Sequence, residues 1–257
     1  MAGAASVQVP DTLTAGKTTL AVLDNMLASQ YPEAQSDSLL FGRDSLCRRD
    51  DCLRGYRCRW TLRDSALYLT ETLNPCYPQD TMKADLKTLF PERYEKGRVR
   101  ATWMTGSIRM GYGACILPAT ETMEGVYAHE VTATFREGAL TGWEESDNSR
   151  SRLTPLAHDA DSLAAFLYRH TDWSRIHTEG HAVVQFTSDE QGRVIQERVL
   201  TSSDPSLDAP ALDAIRAIPE WDILYKNGKF VALPVTLHLY FNEYYRSVYG
   251  MSAAVPN

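Results

Sequence analysis

Long apolar runs are missing from this chain of 257 residues. Leu163–Tyr168 is among the longest, far short of the ~20 apolar residues a helix needs to cross a bilayer. No membrane-spanning segment is therefore expected. Met1 is followed by no basic region and no extended apolar core, so no complete signal peptide is visible. An excess of positive charge is missing too. Lys and Arg number 26 against 33 Asp and Glu, a net charge of -7, which argues against a nucleic-acid surface.

The signatures of catalysis are equally scarce. Ser107 sits in Thr-Gly-Ser-Ile-Arg-Met-Gly, which is not the G-x-S-x-G nucleophile elbow. Gly16-Lys17-Thr18 has the ending of a phosphate-binding loop, but Asp11 stands where that loop requires its first glycine. His177 and His181 are four apart, as in some zinc helices, but Gly180 lies between them and His181 opens a strand. Cys58 or Cys115 with His129 would make a nucleophile and a base, and no motif supplies a third, orienting group. No catalytic residue, cofactor or metal site is expected, and the chain reads as a non-enzyme.

Cysteines are few, at five, but four of them cluster: Cys47, Cys52, Cys58 and Cys76. None forms a C-x-x-C pair, so zinc is disfavoured. Clustering in a loop-rich stretch points to disulfide bonding among these four in an oxidising compartment, with Cys115 free. Four cysteines allow three full pairings, and spacing does not choose between them.

What is present is ordinary globular composition, 44% hydrophobic and 23% charged. The chain is long enough for two domains. Residues 1–36 read as a lead plus a short amphipathic helix at 18–29, with Leu20, Leu23 and Leu27 on one face. Residues 37–150 read as a β-rich domain. In it Tyr56, Cys58, Trp60 and Leu62 alternate with Arg57, Arg59, Thr61 and Arg63. The basic face Arg57, Arg59 and Arg63 is either a solvated strand face or a seat for an anionic ligand. Ala84–Phe90 reads as a helix stopped by Pro91, and Val126–Phe135 with Ala139–Trp143 as a hairpin turned by Glu137-Gly138. The polar segment 146–154 reads as a flexible linker into a third region, 151–257, which opens on a helix at 162–169.

The most informative stretch runs from Gly180 to Phe241. Ala182, Val184 and Phe186 share one face of a strand, and Asp189–Gly192 supplies a turn. The next strand, about Arg193–Thr201, has Val194 and Val199 five apart, so a bulge is expected near Gln196–Arg198. Asp208 is placed to cap a helix whose face is Ala211, Leu212, Ile215 and Ile218 and whose stop is Pro219. After the Asn227-Gly228 turn comes a long alternation. Val231, Leu233, Val235, Leu237, Leu239 and Phe241 lie on one side; Ala232, Pro234, Thr236, His238 and Tyr240 lie on the other.

Gly180, the Val-Val-Gln-Phe strand, Gly192, Asp204-Pro205-Ser206-Leu207-Asp208, Ala211-Leu212, Pro219-x-Trp221 and Gly228-Lys229 together resemble the TonB C-terminal domain family over about residues 160–242. A looser likeness of the preceding region to anchorless TonB-like envelope proteins implies no activity. The resemblance implies an α+β chain: a β-rich N-terminal domain followed by a small domain with a three-stranded antiparallel sheet packed on helices. It also implies a periplasmic or secreted interaction protein, any signal peptide removed, that binds a segment of an outer-membrane receptor by strand pairing. These 257 residues hold neither a membrane helix nor a Pro-rich spacer, so transmission of force by this chain alone is not expected. The expected edge strand comprises Phe230, Val231, Ala232, Leu233, Val235, Thr236, Leu237, His238, Leu239 and Tyr240, because Pro234 lacks an N–H and fits poorly between two neighbours. A second copy of the chain is an alternative occupant. The rival reading is a ligand-binding protein or enzyme that uses a cleft between the two domains.

Overall fold

In the first half of the chain, alternating inward residues build a closed sheet around one core. The computed structural model describes residues 8–30, 40–41, 49–77, 81–119 and 124–250. It divides into two units, Met1–Ser149 and Arg150–Asn257. In the first unit the strands are β1 (Asp11–Ala15), β2 (Thr18–Val22), β3 (Arg57–Arg63), β4 (Ala66–Leu73), β5 (Tyr94–Glu95), β6 (Arg98–Arg100), β7 (Gly106–Leu117), β8 (Val126–Arg136) and β9 (Ala139–Asp147). Their order is β3-β1-β2-β7-β8-β9-β4, and β3 also pairs with β4, which closes the ring. The β5–β6 ribbon continues from β4. All neighbours in the ring are antiparallel except β1 and β3. Closure removes the unpaired edges that an open sheet would expose. Leu13, Tyr56, Trp60, Leu69 and Phe135 fill the interior. Helix α1 (Leu86–Leu89), capped by the Asp85 carboxylate, brings Phe90 into a stack on Trp103 at 5.3 Å.

The helix expected at 18–29 does not form. Residues 18–22 are β2, folded back on β1 through the Gly16-Lys17 turn, with Gly16 at φ +60. Leu20 and Val22 point inward with a period of two, and pairing with β7 overrides the weaker helical spacing that Leu23 and Leu27 continue. Residues 11–22 are thus part of the barrel wall and not a lead. Cys52 and Cys58 carry free thiols, so neither is half of a bridge. Cys58 points into the core, its Sγ 3.6 Å from Thr72 Oγ1, and Cys52 Sγ lies 3.3 Å from the Tyr56 carbonyl. Cys115 is also a free thiol, and Cys47 lies outside the described residues.

The break between units falls inside segment 146–154, but the second half of that segment is pinned. Arg152 exchanges main-chain hydrogen bonds with Ile223 at 2.8 and 2.9 Å, and the Thr154 N–H donates to Asp222 at 2.7 Å. In the second unit the sheet has the order β11-β10-β14, from β10 (Gly180–Ser188), β11 (Val194–Ser202) and β14 (Val235–Phe241). A separate hairpin pairs β12 (Tyr225–Lys226) with β13 (Lys229–Phe230). The helices are α2 (Pro155–His158), α3 (Ala160–Arg169), α4 (Asp208–Arg216) and α5 (Glu243–Tyr249). Leu167 of α3 and Ala211, Ala214 and Ile215 of α4 bury the sheet residues Val184, Phe186, Leu239 and Phe241. This is the expected three-stranded antiparallel sheet with helices.

The bulge is where the phase error placed it. Gln185 pairs with Arg198 and Thr187 with Ile195, so Gln196 and Glu197 oppose Phe186 alone, and Gln196 sits at φ +56. Two glycines are fixed by close approach. A side chain at Gly180 would collide with Ser203 and Leu207. Gly192, at φ +80, accepts the Trp221 N–H on its carbonyl at 2.8 Å and has no room for a Cβ beside the Trp221 carbonyl. That contact seats Trp221 edge-on against Phe186 at 5.0 Å. Asp208 does not cap α4. The chain enters the helix through a 3-10 turn, Pro205–Leu207, which the Asp204 carboxylate caps at Ser206 N (2.8 Å), so Asp208 already lies in the first turn.

Candidate partner-binding edge

β14 has β10 on one side and, among the described residues, no strand on the other. Its inner face follows the expected phase, with Leu239 and Phe241 fully buried and Val235 and Leu237 half-buried. Thr236, His238 and Tyr240 are exposed on the outer face. The expected strand is longer than the observed one. Phe230 pairs with Tyr225 in the β12–β13 hairpin, and the Val231 N–H donates to Leu224 O at 2.8 Å. Ala232, Leu233 and Pro234 are exposed, Leu233 by 46%, and lie outside the sheet. The physical reason is the Asn227-Gly228 turn. With φ +52 and +70 it makes a tight two-residue hairpin that claims residues 229–231 before the chain reaches β10.

One hydrogen bond fixes which way the edge faces. The Tyr240 N–H donates to the Tyr168 hydroxyl of α3 at 2.9 Å, so it points away from β10. In an antiparallel ladder N–H groups two residues apart point the same way. Thr236 and His238 therefore also present their N–H and C=O groups outward. Burial pushes the Tyr168 hydroxyl up to about 12, so it stays protonated at neutral pH.

Residues 174–242 match the family described as the Gram-negative bacterial TonB protein C-terminal. The match spans β10, β11, α4 and β14, and the motif residues Gly180, Gly192 and Trp221 are those whose packing is described above. No curated protein and no solved structure matches the chain.

The other sequence candidates are placed differently. Arg57, Arg59 and Arg63 share the outward face of β3. Arg59 lies 2.5 Å from Glu71, which Lys83 also pairs, and Arg63 lies 3.6 Å from Asp64. Two of the three thus lie beside carboxylates. A cavity of ≈ 300 Å³ in the TonB C-terminal-like unit is lined by His177, Glu179 and Arg246 among others. Its charged groups serve the fold. Arg246 Nη2 donates to the Trp173 and Ile176 carbonyls, and Glu179 accepts the Glu243 N–H. Among the described residues no group of three His, Cys, Asp or Glu is placed to hold a metal, and no helix is long and apolar enough to cross a membrane. Sequence reading missed Tyr168, whose role depends on α3 lying beside a strand 72 residues away.

Proposed function

We propose that this chain is a cell-envelope interaction protein whose TonB C-terminal-like unit takes up an extended segment of a partner, such as an outer-membrane receptor, as an added strand on β14. The observation that carries the reading is the outward main chain of Thr236 and His238 on a strand with one neighbour. The family match supports it. An unpaired edge gives main-chain hydrogen bonds to any extended chain, and pockets for alternate side chains give selectivity. Two residues offer four bonds, each worth about 0.5–1.5 kcal/mol net, so about 2–6 kcal/mol before ordering costs. Main-chain pairing alone then gives affinities no tighter than roughly tens of micromolar.

The test is a titration, followed by amide NMR, with blocked peptides that copy exposed N-terminal segments of outer-membrane receptors. Shifts should concentrate at residues 235–239. Thr236→Pro and His238→Pro each remove one outward donor and no bond to β10, so both should fold and lose binding. Undiminished binding by both folded variants would exclude this edge.

A further inference from the structure

The edge of β14 is bounded at both ends. Pro234 is in phase with Thr236, His238 and Tyr240, so the position where the outward row of N–H groups would begin has no donor. At the other end the Tyr240 N–H is already used by Tyr168. The Tyr168 hydroxyl is not a loose cap. Its side chain is 4% exposed, stacks on Tyr245 of α5 at 4.1 Å, and has Tyr249 at 5.8 Å. α5 is itself held by the Asn242 cap on Tyr245 N and by Arg246, whose Nη2 reaches Ile176 O at 2.6 Å.

We propose that Tyr168 is the end-stop for the added strand. By occupying the Tyr240 N–H it confines pairing to Thr236 and His238 and sets the register of the partner. The inference rests on the strand-addition reading and adds to it a length and a pattern. A strand pairing with residues 235–239 is about five residues long, and side chains directly opposite share a face. The partner residue opposite Leu237 meets the half-buried Val235 and Leu237 and is apolar. Those opposite Thr236 and His238 lie on the outer face and are polar. A longer partner gains nothing from residues that run past Tyr240. The stop also limits stacking of two copies of this chain edge to edge, the hazard that unprotected strands carry.

The first test needs no partner. In hydrogen exchange by NMR, the Tyr240 amide should be protected while those of Thr236 and His238 exchange rapidly. Tyr168→Phe keeps the ring stack and deletes only the hydroxyl, so it should release Tyr240 and leave β10 amides protected. Equal exchange of all three in the wild-type protein overturns the proposal. The second test uses a blocked alternating valine–threonine peptide of seven residues and its five-residue truncation. The wild-type protein should bind both alike. The Tyr168→Phe variant should bind the longer one about two- to tenfold more tightly than the shorter, the effect of one added hydrogen bond. The same gain with length in the wild-type protein overturns the end-stop. Binding of neither peptide or any receptor segment, with Tyr240 protected as expected, overturns strand addition and leaves the edge closed at that end.

Discussion

Asp11 is a buried carboxylate at the joint between β1 and β3 of the barrel unit. It is fully buried, yet it ties three pieces together. Oδ1 accepts from Arg54 Nη2 at 2.5 Å and from the Cys58 N–H at 2.7 Å, and Oδ2 accepts from Trp60 Nε1 at 3.2 Å. These bonds join β1 to β3 where the ring has its parallel pair. Asp11→Ala removes the shared acceptor of a main-chain N–H, an indole N–H and a guanidinium that is 16% exposed and still donates to the Tyr56 and Val9 carbonyls. Breaking a buried pair from one side costs about 3–5 kcal/mol, and partial exposure of Arg54 places this case near about 3. Asp11→Asn should cost less. Its carbonyl still serves Arg54 and Cys58, and only Trp60 then faces an N–H₂. Burial pushes the Asp11 carboxyl above its usual value of 3.8, against the pull of Arg54 and its other donors. The stability a raised carboxyl contributes is complete below its unfolded value and is lost as pH rises through the folded one. The stability difference between wild type and Asp11→Asn should therefore shrink as pH rises above about 4. Urea unfolding of the whole chain, read by amide exchange in β1 and β3 so that each unit is scored separately, measures both effects. A loss under 1 kcal/mol for Asp11→Ala, or a difference that grows with pH, would refute the reasoning.

Three more outcomes are expected. With Cys52, Cys58 and Cys115 free and Cys76 disulfide-bonded, thiol counting in denaturant without reductant should find three thiols; five thiols would refute this. Gly192→Ala should destabilise the second unit by about 2 kcal/mol, because a side chain at φ +80 is strained and meets the Trp221 carbonyl; a melting temperature unchanged from wild type would count against that account. A fragment of residues 150–257 should give a dispersed amide NMR spectrum, since its core residues all lie within it; a collapsed spectrum would show that it depends on the rest of the chain.

The sequence by itself determined the elements whose signal is local. β10, the bulge at Gln196–Glu197, α4 and the inward face of β14 follow from side-chain period and turn chemistry, which act over a few residues. The type of fold in the second unit was legible only through the family likeness that its glycines and Trp221 carried, because period and turn chemistry give the elements and not how they pack. β7 was not legible. Gly106, Gly111 and Gly113 interrupt its alternation, and only pairing with β2 and β8 makes it a strand. Residues 18–22 read as helix because spacing alone cannot weigh a distant partner. The tertiary structure alone decided which edges stay open. It closed the barrel through β3 and β4, turned residues 229–231 into their own hairpin, and set Tyr168 across the end of β14. A periodic pattern states which face of a strand is apolar. Which backbone groups remain unpaired depends on the chain brought alongside, and that is a property of contacts far apart in sequence.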